Sequence, residues 1–186
     1  MGRKSSFDDA DVFRAVASEL ARSGRINVER VIDATGLSMG SIYHRFGSRD
    51  RLLTETWLGA VEAFQEAFLT ALAPLTTDAA IEAALATPRF CRSHPEEALV
   101  LACCRQSEFL ADELQQPLRA RVAAANAAIA PAMRKLSKAI DRPLLVCQLA
   151  LIGYPLGAVR LFLPTRTVPR SLDDEVTRMA RAVLVL

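Results

Sequence analysis

Hydrogen-bond donors are concentrated in one short stretch, residues 37–53, which reads LSMGSIYHRFGSRDRLL. Tyr43 and His44 each offer a polar donor, and Arg45 and Arg49 add guanidinium groups that stay charged at every physiological pH. The residues just before these donors are mostly small, namely Ser38, Met39, Gly40 and Ser41. A slim segment followed by a run of donors can approach an anionic partner closely and hydrogen-bond to it.

Residues for catalysis or metal binding are few. The chain has two histidines, His44 and His94, and no constellation of base, nucleophile or paired carboxylates is recognisable around them. A glycine-rich phosphate loop is also missing from the sequence. Cys91 stands three residues before His94, but two potential ligands do not make a metal site. We therefore expect no enzymatic activity, no bound metal and no cofactor.

Four cysteines, Cys91, Cys103, Cys104 and Cys147, lie within apolar helical patterns and form no CxxC pair. No hydrophobic leader stands at the start of the sequence, so we expect reduced thiols in a cytoplasmic protein. Burial as small apolar residues is the ordinary role of such cysteines. The neighbouring Cys103 and Cys104 leave a second interpretation open, in which their thiols sense oxidants or thiol-binding agents.

The composition predicts an all-α globular protein. Of the 186 residues, 51% are hydrophobic and 24% are charged, and the 8 glycines and 9 prolines stand mainly between apolar-periodic segments. Residues 1–53 carry nine basic and seven acidic side chains, and residues 54–186 carry equal numbers of each. An excess of two positive charges is too small to indicate nucleic-acid binding by itself.

Apolar residues at helical spacing, bounded by capping residues, predict about nine helices. The expected N-caps of the first four are Ser6, Asn27, Ser38 and Ser48. The fourth helix is long and reaches about residue 73. Prolines divide the rest of the chain into helices near 78–93, 95–113, 117–140, 143–163 and 171–186.

Residues 144–163, LLVCQLALIGYPLGAVRLFL, are apolar enough to require comparison with a membrane span. Gln148, Pro155 and Arg160 disfavour a span, and no basic cluster flanks the stretch. A helix that is apolar on most faces is also typical of a subunit interface or of a buried central helix. We therefore expect no membrane partner, and we expect Pro155 to kink or shorten this helix.

The second and third helices predict a helix-turn-helix, because a tight turn at residues 35–38 with Gly36 joins them. In such a pair the second helix enters the major groove of DNA by its N-terminal end. Ile42 and Phe46, four residues apart, are expected to anchor that helix on the first two. A cation at the start of helix four works against the helix dipole, so Arg49 is expected to contact a phosphate. The predicted DNA-binding residues are Ser38, Met39, Gly40, Ser41, Tyr43, His44, Arg45 and Arg49.

Residues 28–53, VERVIDATGLSMGSIYHRFGSRDRLL, resemble the DNA-binding domain of TetR-family transcriptional regulators. The positions that match the family pattern are Val28, Val31, Gly36, Ser38, Gly40, Ile42, Tyr43, Phe46, Ser48, Asp50 and Leu53. The resemblance covers about residues 7–53, and beyond it only length and helical plan agree. Ile32, Arg45 and Arg49 depart from the residues usual in the family, although both arginines keep a donor.

The resemblance implies a homodimeric, sequence-specific transcriptional regulator with two domains. Residues 1–53 would form the helix-turn-helix DNA-binding domain, and residues 54–186 a helical effector-binding and dimerisation domain. Two heads would read the halves of a palindromic double-stranded operator, and a small, largely apolar effector would release a repressor from it. The last two helices would form the dimer interface, with candidates Leu149, Ile152, Gly153, Leu156, Val159, Arg160, Val176, Met179 and Val183.

Polar and aromatic residues of the second domain are candidates for an effector pocket: Trp57, Phe64, Phe68, Phe90, Arg105, Phe109 and Tyr154. Aromatic residues at helical spacing are equally typical of a plain apolar core. Two alternatives therefore remain beside the main interpretation. One is a helical DNA-binding dimer without an effector, and the other is a regulator that senses thiol chemistry through Cys103 and Cys104.

Overall fold

The computed structural model describes residues 8–23, 27–103, 116–163 and 167–185, and every regular element in those ranges is helical. The helices are α1 (Asp9–Ser23), α2 (Val28–Thr35), α3 (Met39–Phe46), α4 (Arg49–Leu72), α5 (Thr77–Ser93), α6 (Pro95–Cys103), α7 (Gln116–Ala127), α8 (Ile129–Ala139), α9 (Leu144–Gln148), α10 (Tyr154–Val159) and α11 (Leu172–Leu184). A π-helical turn, Leu149–Gly153, joins α9 to α10. The predicted all-α fold class is confirmed.

Local capping starts three of the first four helices as the sequence predicts. The Asn27 side chain accepts a hydrogen bond from the Glu29 amide, and the Ser38 hydroxyl accepts one from the Ser41 amide. The Ser48 hydroxyl does the same for the Arg51 amide at the start of α4. Each side chain satisfies a backbone N–H that has no partner within its own helix. The expected cap Ser6 lies outside the described residues.

The helix predicted near residues 117–140 is in fact two helices, α7 and α8, separated at Ala128. Pro131 explains the break, because a proline clashes with the carbonyl four residues earlier and is tolerated in the first turn of a new helix. The helix predicted over 95–113 is described as far as Cys103, and its remaining residues lie outside the described ranges.

Pro155 changes the hydrogen-bond register of its helix. Residues Leu149–Gly153 adopt a π-helical turn, in which the Tyr154 amide donates to the Leu149 carbonyl. A proline cannot donate, and its ring crowds the preceding turn, so a wider turn relieves the strain. The helical backbone then continues to Val159, short of the predicted residue 163.

Two clusters of buried apolar side chains organise the chain. The first, here the head cluster, contains Val12, Val16, Ala17, Leu20, Val31, Leu37, Ile42, Phe46, Leu52, Leu53, Trp57, Leu58, Val100, Leu118, Val122 and Ala125. The second, the body cluster, includes Phe68, Leu72, Phe90, Met133, Leu136, Leu151, Val159 and Val176. Packing around the first three helices therefore extends past residue 53 into α4, α6 and α7.

Helix α6 lies between the two clusters. Its Val100 is buried in the head cluster and its Ala98 in the body cluster, while Leu101 packs against both. Among the described residues, no helix combines the length and the apolar character that crossing a bilayer requires.

Candidate nucleic-acid interface and effector cavity

Two buried side chains of helix α3 pack into the head cluster. Ile42 and Phe46 are 2% and 5% exposed, and both belong to the head cluster. The Phe46 ring packs against Phe13 of α1 with ring centroids 5.6 Å apart. Because these two anchors are four residues apart, the opposite side of α3 must face outward.

The outward side of α3 carries the predicted DNA-binding residues. A shallow groove on it is lined by Ser38, Gly40, Ser41, His44 and Arg45. Met39 and Tyr43 are 42% and 40% exposed, which is unusual for large side chains with so much apolar surface. The Ser38 and Ser41 hydroxyls hydrogen-bond to each other, with their oxygen atoms 2.9 Å apart. The seven predicted residues of this segment thus share one exposed surface, here the α3 face.

Gly40 has no packing reason to be a glycine. A Cβ built at this position would lie 3.8 Å from the Ser38 Oγ atom, an ordinary van der Waals contact. The residue is the second of α3, and glycine is less favourable than alanine within a helix, by roughly 0.5–1 kcal/mol in its middle and by less in its first turn. The missing side chain therefore opens space on the outside of the helix rather than inside the fold.

Arg45 is engaged within the chain. Its guanidinium forms an ion pair with the Asp9 carboxylate of α1, and the hydrogen bond that Arg45 donates to this carboxylate raises the pKa of Arg45 above its ordinary value. Both side chains stay partly exposed, so a phosphate can still reach the guanidinium but must share it with Asp9. The structure therefore gives Arg45 a tie between α3 and α1 that the sequence pattern does not reveal.

Arg49 is the first residue of α4 and follows the Ser48 cap. Its Nη1 atom lies 3.6 Å from the Asp50 carboxylate, and the two side chains are each 47% exposed. An exposed pair at that distance contributes little to stability, so the guanidinium is available to an external anion.

A cavity of about 200 Å³ lies between α4, α5, α6, the π turn and α10. Its described wall consists of Val61, Phe64, Thr87, Phe90, Cys91, Ala98, Leu101, Ala102, Ile152, Leu156, Val159 and Leu163. The wall is almost entirely apolar, with one hydroxyl and one thiol. A cavity of this kind suits a small apolar ligand.

The predicted pocket residues separate into three groups. Phe64 and Phe90 line the cavity. Trp57 instead lies in the head cluster, Phe68 is fully buried in the body cluster, and Tyr154 is half-buried against that cluster. Arg105 and Phe109 lie outside the described residues. The helical spacing of Trp57 and Phe68 reflects core packing along α4 rather than a ligand wall.

Most of the cavity wall was not predicted as such. Thr87 and Cys91 lie four residues apart on α5, and Ala98 and Ala102 lie four apart on α6. Two small residues at that spacing leave a gap beside a helix, which is the one sequence signal that points to a cavity here. Which other helices close the gap depends on tertiary packing.

Cys91 and His94 do not form a joint site. Burial raises the pKa of the Cys91 thiol to about 11, so the thiol stays protonated at neutral pH. The His94 ring stacks on Phe90 at 4.7 Å, and its Nδ1 atom lies 2.8 Å from the Ser93 hydroxyl. Of the two thiols proposed to sense oxidants, Cys103 ends α6 and Cys104 lies outside the described residues.

The predicted dimer residues occupy two sides of their helices. Leu149, Gly153, Arg160 and Met179 are exposed, and Ile152, Leu156 and Val183 are half-buried. Val159 and Val176 are buried in the chain's own core, 1% and 0% exposed, so they cannot offer surface to a partner. A further exposed leucine, Leu145, stands four residues before Leu149 and is 64% exposed.

Two solved structures share this architecture. A TetR family transcription regulator from Marinobacter aquaeolei VT8 superposes with a TM-score of 0.70, is 16% identical, and the match covers 94% of each chain. A protein assigned to the same family of regulators, from Shewanella sp. PV-4, superposes with a TM-score of 0.64 at 17% identity over 95% of each chain. The resemblance predicted from residues 28–53 is thereby confirmed at the level of the fold.

No protein-family model matches the sequence, and no curated protein matches it.

Proposed function

We propose that the chain is a sequence-specific DNA-binding transcriptional regulator, a cytoplasmic homodimer that acts as a repressor and releases its operator when a small molecule binds. The observation that carries this proposal is the α3 face. It gathers seven polar, small or exposed residues on a helix whose other side is buried, and the fold is one that transcription regulators use. Arg49, exposed at the start of α4, is the eighth predicted contact.

The head cluster, which contains every buried apolar side chain of α1, α2 and α3, supports a division of the chain into two functional parts. We assign DNA reading to residues 1–53 and effector binding and dimerisation to residues 54–186. Ligand binding could reach the head through α6, because Ala98 and Ala102 line the cavity while Val100 of the same helix is buried in the head cluster. A small shift of α6 would then change the position of α1 and, in a dimer, the spacing of the two α3 faces.

Fluorescence anisotropy against the DNA that flanks the gene, at several salt concentrations, tests the reading function. The wild-type protein should bind that DNA much more tightly than random DNA. Tyr43→Ala and Arg49→Ala should each weaken binding by roughly 10- to 100-fold. Arg89→Ala is the matched control, since Arg89 pairs with Glu82 on the exposed surface of α5, away from the α3 face. Equal, weak binding to all DNA, unchanged by these substitutions, would refute the proposal.

A glycine pair separates DNA contact from stability. Gly40→Ala adds a methyl group to the α3 face, and Gly59→Ala adds one to an open position inside α4. Gly59→Ala should raise the free energy of unfolding by roughly 0.5–1 kcal/mol, because alanine is the better helix former, and Gly40→Ala, in the first turn of its helix, should raise it by less. Only Gly40→Ala should weaken operator binding. If it left binding unchanged, the α3 face would not approach the DNA backbone as we propose.

The proposed dimer interface is the exposed apolar surface of α9, the π turn and α11, centred on Leu145, Leu149 and Met179. Sedimentation of Leu149→Asp should show a monomer, because a carboxylate would be buried without a partner. Ala124→Asp, which places the same charge on an exposed position of α7, should leave the oligomeric state unchanged. A monomeric wild-type protein would contradict the dimer directly.

A further inference from the structure

The chemistry of the cavity wall restricts the ligand it can accept. None of the twelve described lining residues is charged. Polar atoms come from the Thr87 hydroxyl and the Cys91 thiol, both on α5. An ionised ligand would leave water and find no counter-charge on the described part of the wall, which is strongly unfavourable.

Arg92, the charged residue that follows Cys91 in sequence, forms an ion pair outside the cavity. Arg92 donates two hydrogen bonds to the Asp173 carboxylate, at 2.9 and 2.6 Å, and approaches the Pro169 carbonyl at 3.4 Å. This bidentate pair fastens α5 to the start of α11. Withdrawing the guanidinium toward the cavity would break it, so Arg92 is unsuited to receive a ligand carboxylate.

The volume and shape of the cavity restrict the size of the ligand further. An apolar cavity of about 150 Å³ can hold a benzene molecule, so the 200 Å³ here accommodates one substituted ring. Phe64 and Phe90 form one side of the wall, with ring centroids 5.5 Å apart and an interplanar angle of 77°. An edge-to-face pair presents both a ring face and a ring edge, against which a third ring can pack.

We propose that the cavity, as the effector site of the function proposed above, binds an uncharged molecule with a single substituted ring, held by apolar contact and by one hydrogen bond to the Thr87 hydroxyl. The Cys91 thiol contributes as a neutral wall atom, because its raised pKa leaves little thiolate to attack an electrophile or bind a metal ion. Binding is therefore reversible and non-covalent.

Calorimetric titration of the full-length protein with matched probes tests the ligand class. 4-Ethylacetophenone and 4-ethylbenzoate have nearly the same shape, but the second carries a charge at neutral pH. The ketone should bind at least about 100-fold more tightly than the carboxylate. If the carboxylate binds as well as the ketone, or if no uncharged probe binds at millimolar concentration, the proposal is overturned.

The variant Thr87→Val tests the single hydrogen bond while keeping the shape of the side chain. It should weaken binding of 4-ethylacetophenone by roughly 3- to 10-fold and leave 1-ethyl-4-isopropylbenzene, which has no acceptor, unaffected. An equal effect on both probes, or an effect on neither, would remove Thr87 from the proposed site.

Filling the cavity locates the site. Ala102→Leu should abolish ketone binding by occupying the space, and Ala124→Leu, the same change on the exposed side of α7, should not. Melting curves check that both variants are folded. Ketone binding that persists in folded Ala102→Leu would place the ligand elsewhere and overturn the proposal.

Operator binding measured on the same preparations separates this inference from the proposed function. Tight operator binding without any preference for the uncharged probe would refute the ligand class alone. Selective binding of the ketone without operator binding would instead refute the proposed regulator and leave the cavity chemistry in place.

Discussion

The α3 face and the cavity differ in polarity and in how much of the chain contributes to them. The face is polar and exposed, and one short helix with its cap supplies nearly all of it. The cavity is apolar, and five separate helical segments supply most of its described wall. A surface that binds a polyanion in water uses donors that are already solvated, whereas a site for a neutral molecule works by excluding water.

This difference decides how each region responds to mutation. On the α3 face a side chain can be removed without changing the core, so function and stability can be separated. In the cavity each lining residue is also part of the packing of its helix, so the two are linked. Variants that act on one region and spare the other therefore test the comparison best.

The largest effect on stability is expected from truncating a buried phenylalanine of each cluster. Phe46→Ala and Phe68→Ala should each lower the free energy of unfolding by about 3–5 kcal/mol, since both rings are almost completely buried. Urea unfolding measures the loss. At a temperature where both variants stay folded, Phe46→Ala should lose operator binding and Phe68→Ala should keep it, because only Phe46 supports α3. Equal loss of DNA binding in both would erase the distinction.

Thiol reactivity gives the next largest effect. Because burial raises the Cys91 pKa to about 11 from an ordinary value of 9.0, its thiolate fraction at pH 8 is lower by roughly 100-fold. Peptide mapping after iodoacetamide treatment should show Cys91 labelled more slowly than a free thiol by a similar factor. An uncharged ring compound in the cavity should slow labelling further, while rapid labelling of Cys91 would contradict the burial of its thiol.

A smaller effect is expected at the turn of the helix-turn-helix. Gly36 has φ +69° and its amide donates to the Ile32 carbonyl, so it ends α2 in the left-handed region. Gly36→Ala should cost about 1–2 kcal/mol from backbone strain alone, since no atom within 4 Å would meet the new methyl group. Gly59→Ala in α4 has the opposite expected sign, and thermal unfolding compares them. A stabilising Gly36→Ala would contradict the assigned backbone conformation.

The smallest effect concerns pH. Hydrogen bonds from Arg22 lower the pKa of Glu19 below its ordinary value of 4.5, with a further contribution from the Ser23 hydroxyl. The ionised form therefore stabilises the folded chain above pH 4.5, and this contribution disappears as the pH falls through the lowered folded-state value. The Tm difference between wild type and Glu19→Gln should shrink over that acidic range. A difference independent of pH would show that the carboxylate charge is not responsible.

Features that depend on neighbours along the chain could be predicted from the sequence. The caps at Asn27, Ser38 and Ser48, and the inward placement of Ile42 and Phe46, follow from spacing within one or two helical turns. Longer patterns are ambiguous, because regularly spaced aromatic residues along α4 fit a pocket wall and a core equally well. Phe64 lines the cavity, whereas Trp57 belongs to the head cluster and Phe68 to the body cluster.

The sequence by itself determined the helices of the helix-turn-helix, the turn that joins α2 to α3, and the residues that face outward on α3, because capping and helical periodicity are local. Tertiary structure alone decided that Arg45 pairs with Asp9, that Val159 and Val176 face the chain's own core, and that α4, α5, α6, the π turn and α10 line a cavity. These features join segments far apart in the chain, and no local preference specifies which helix faces will meet.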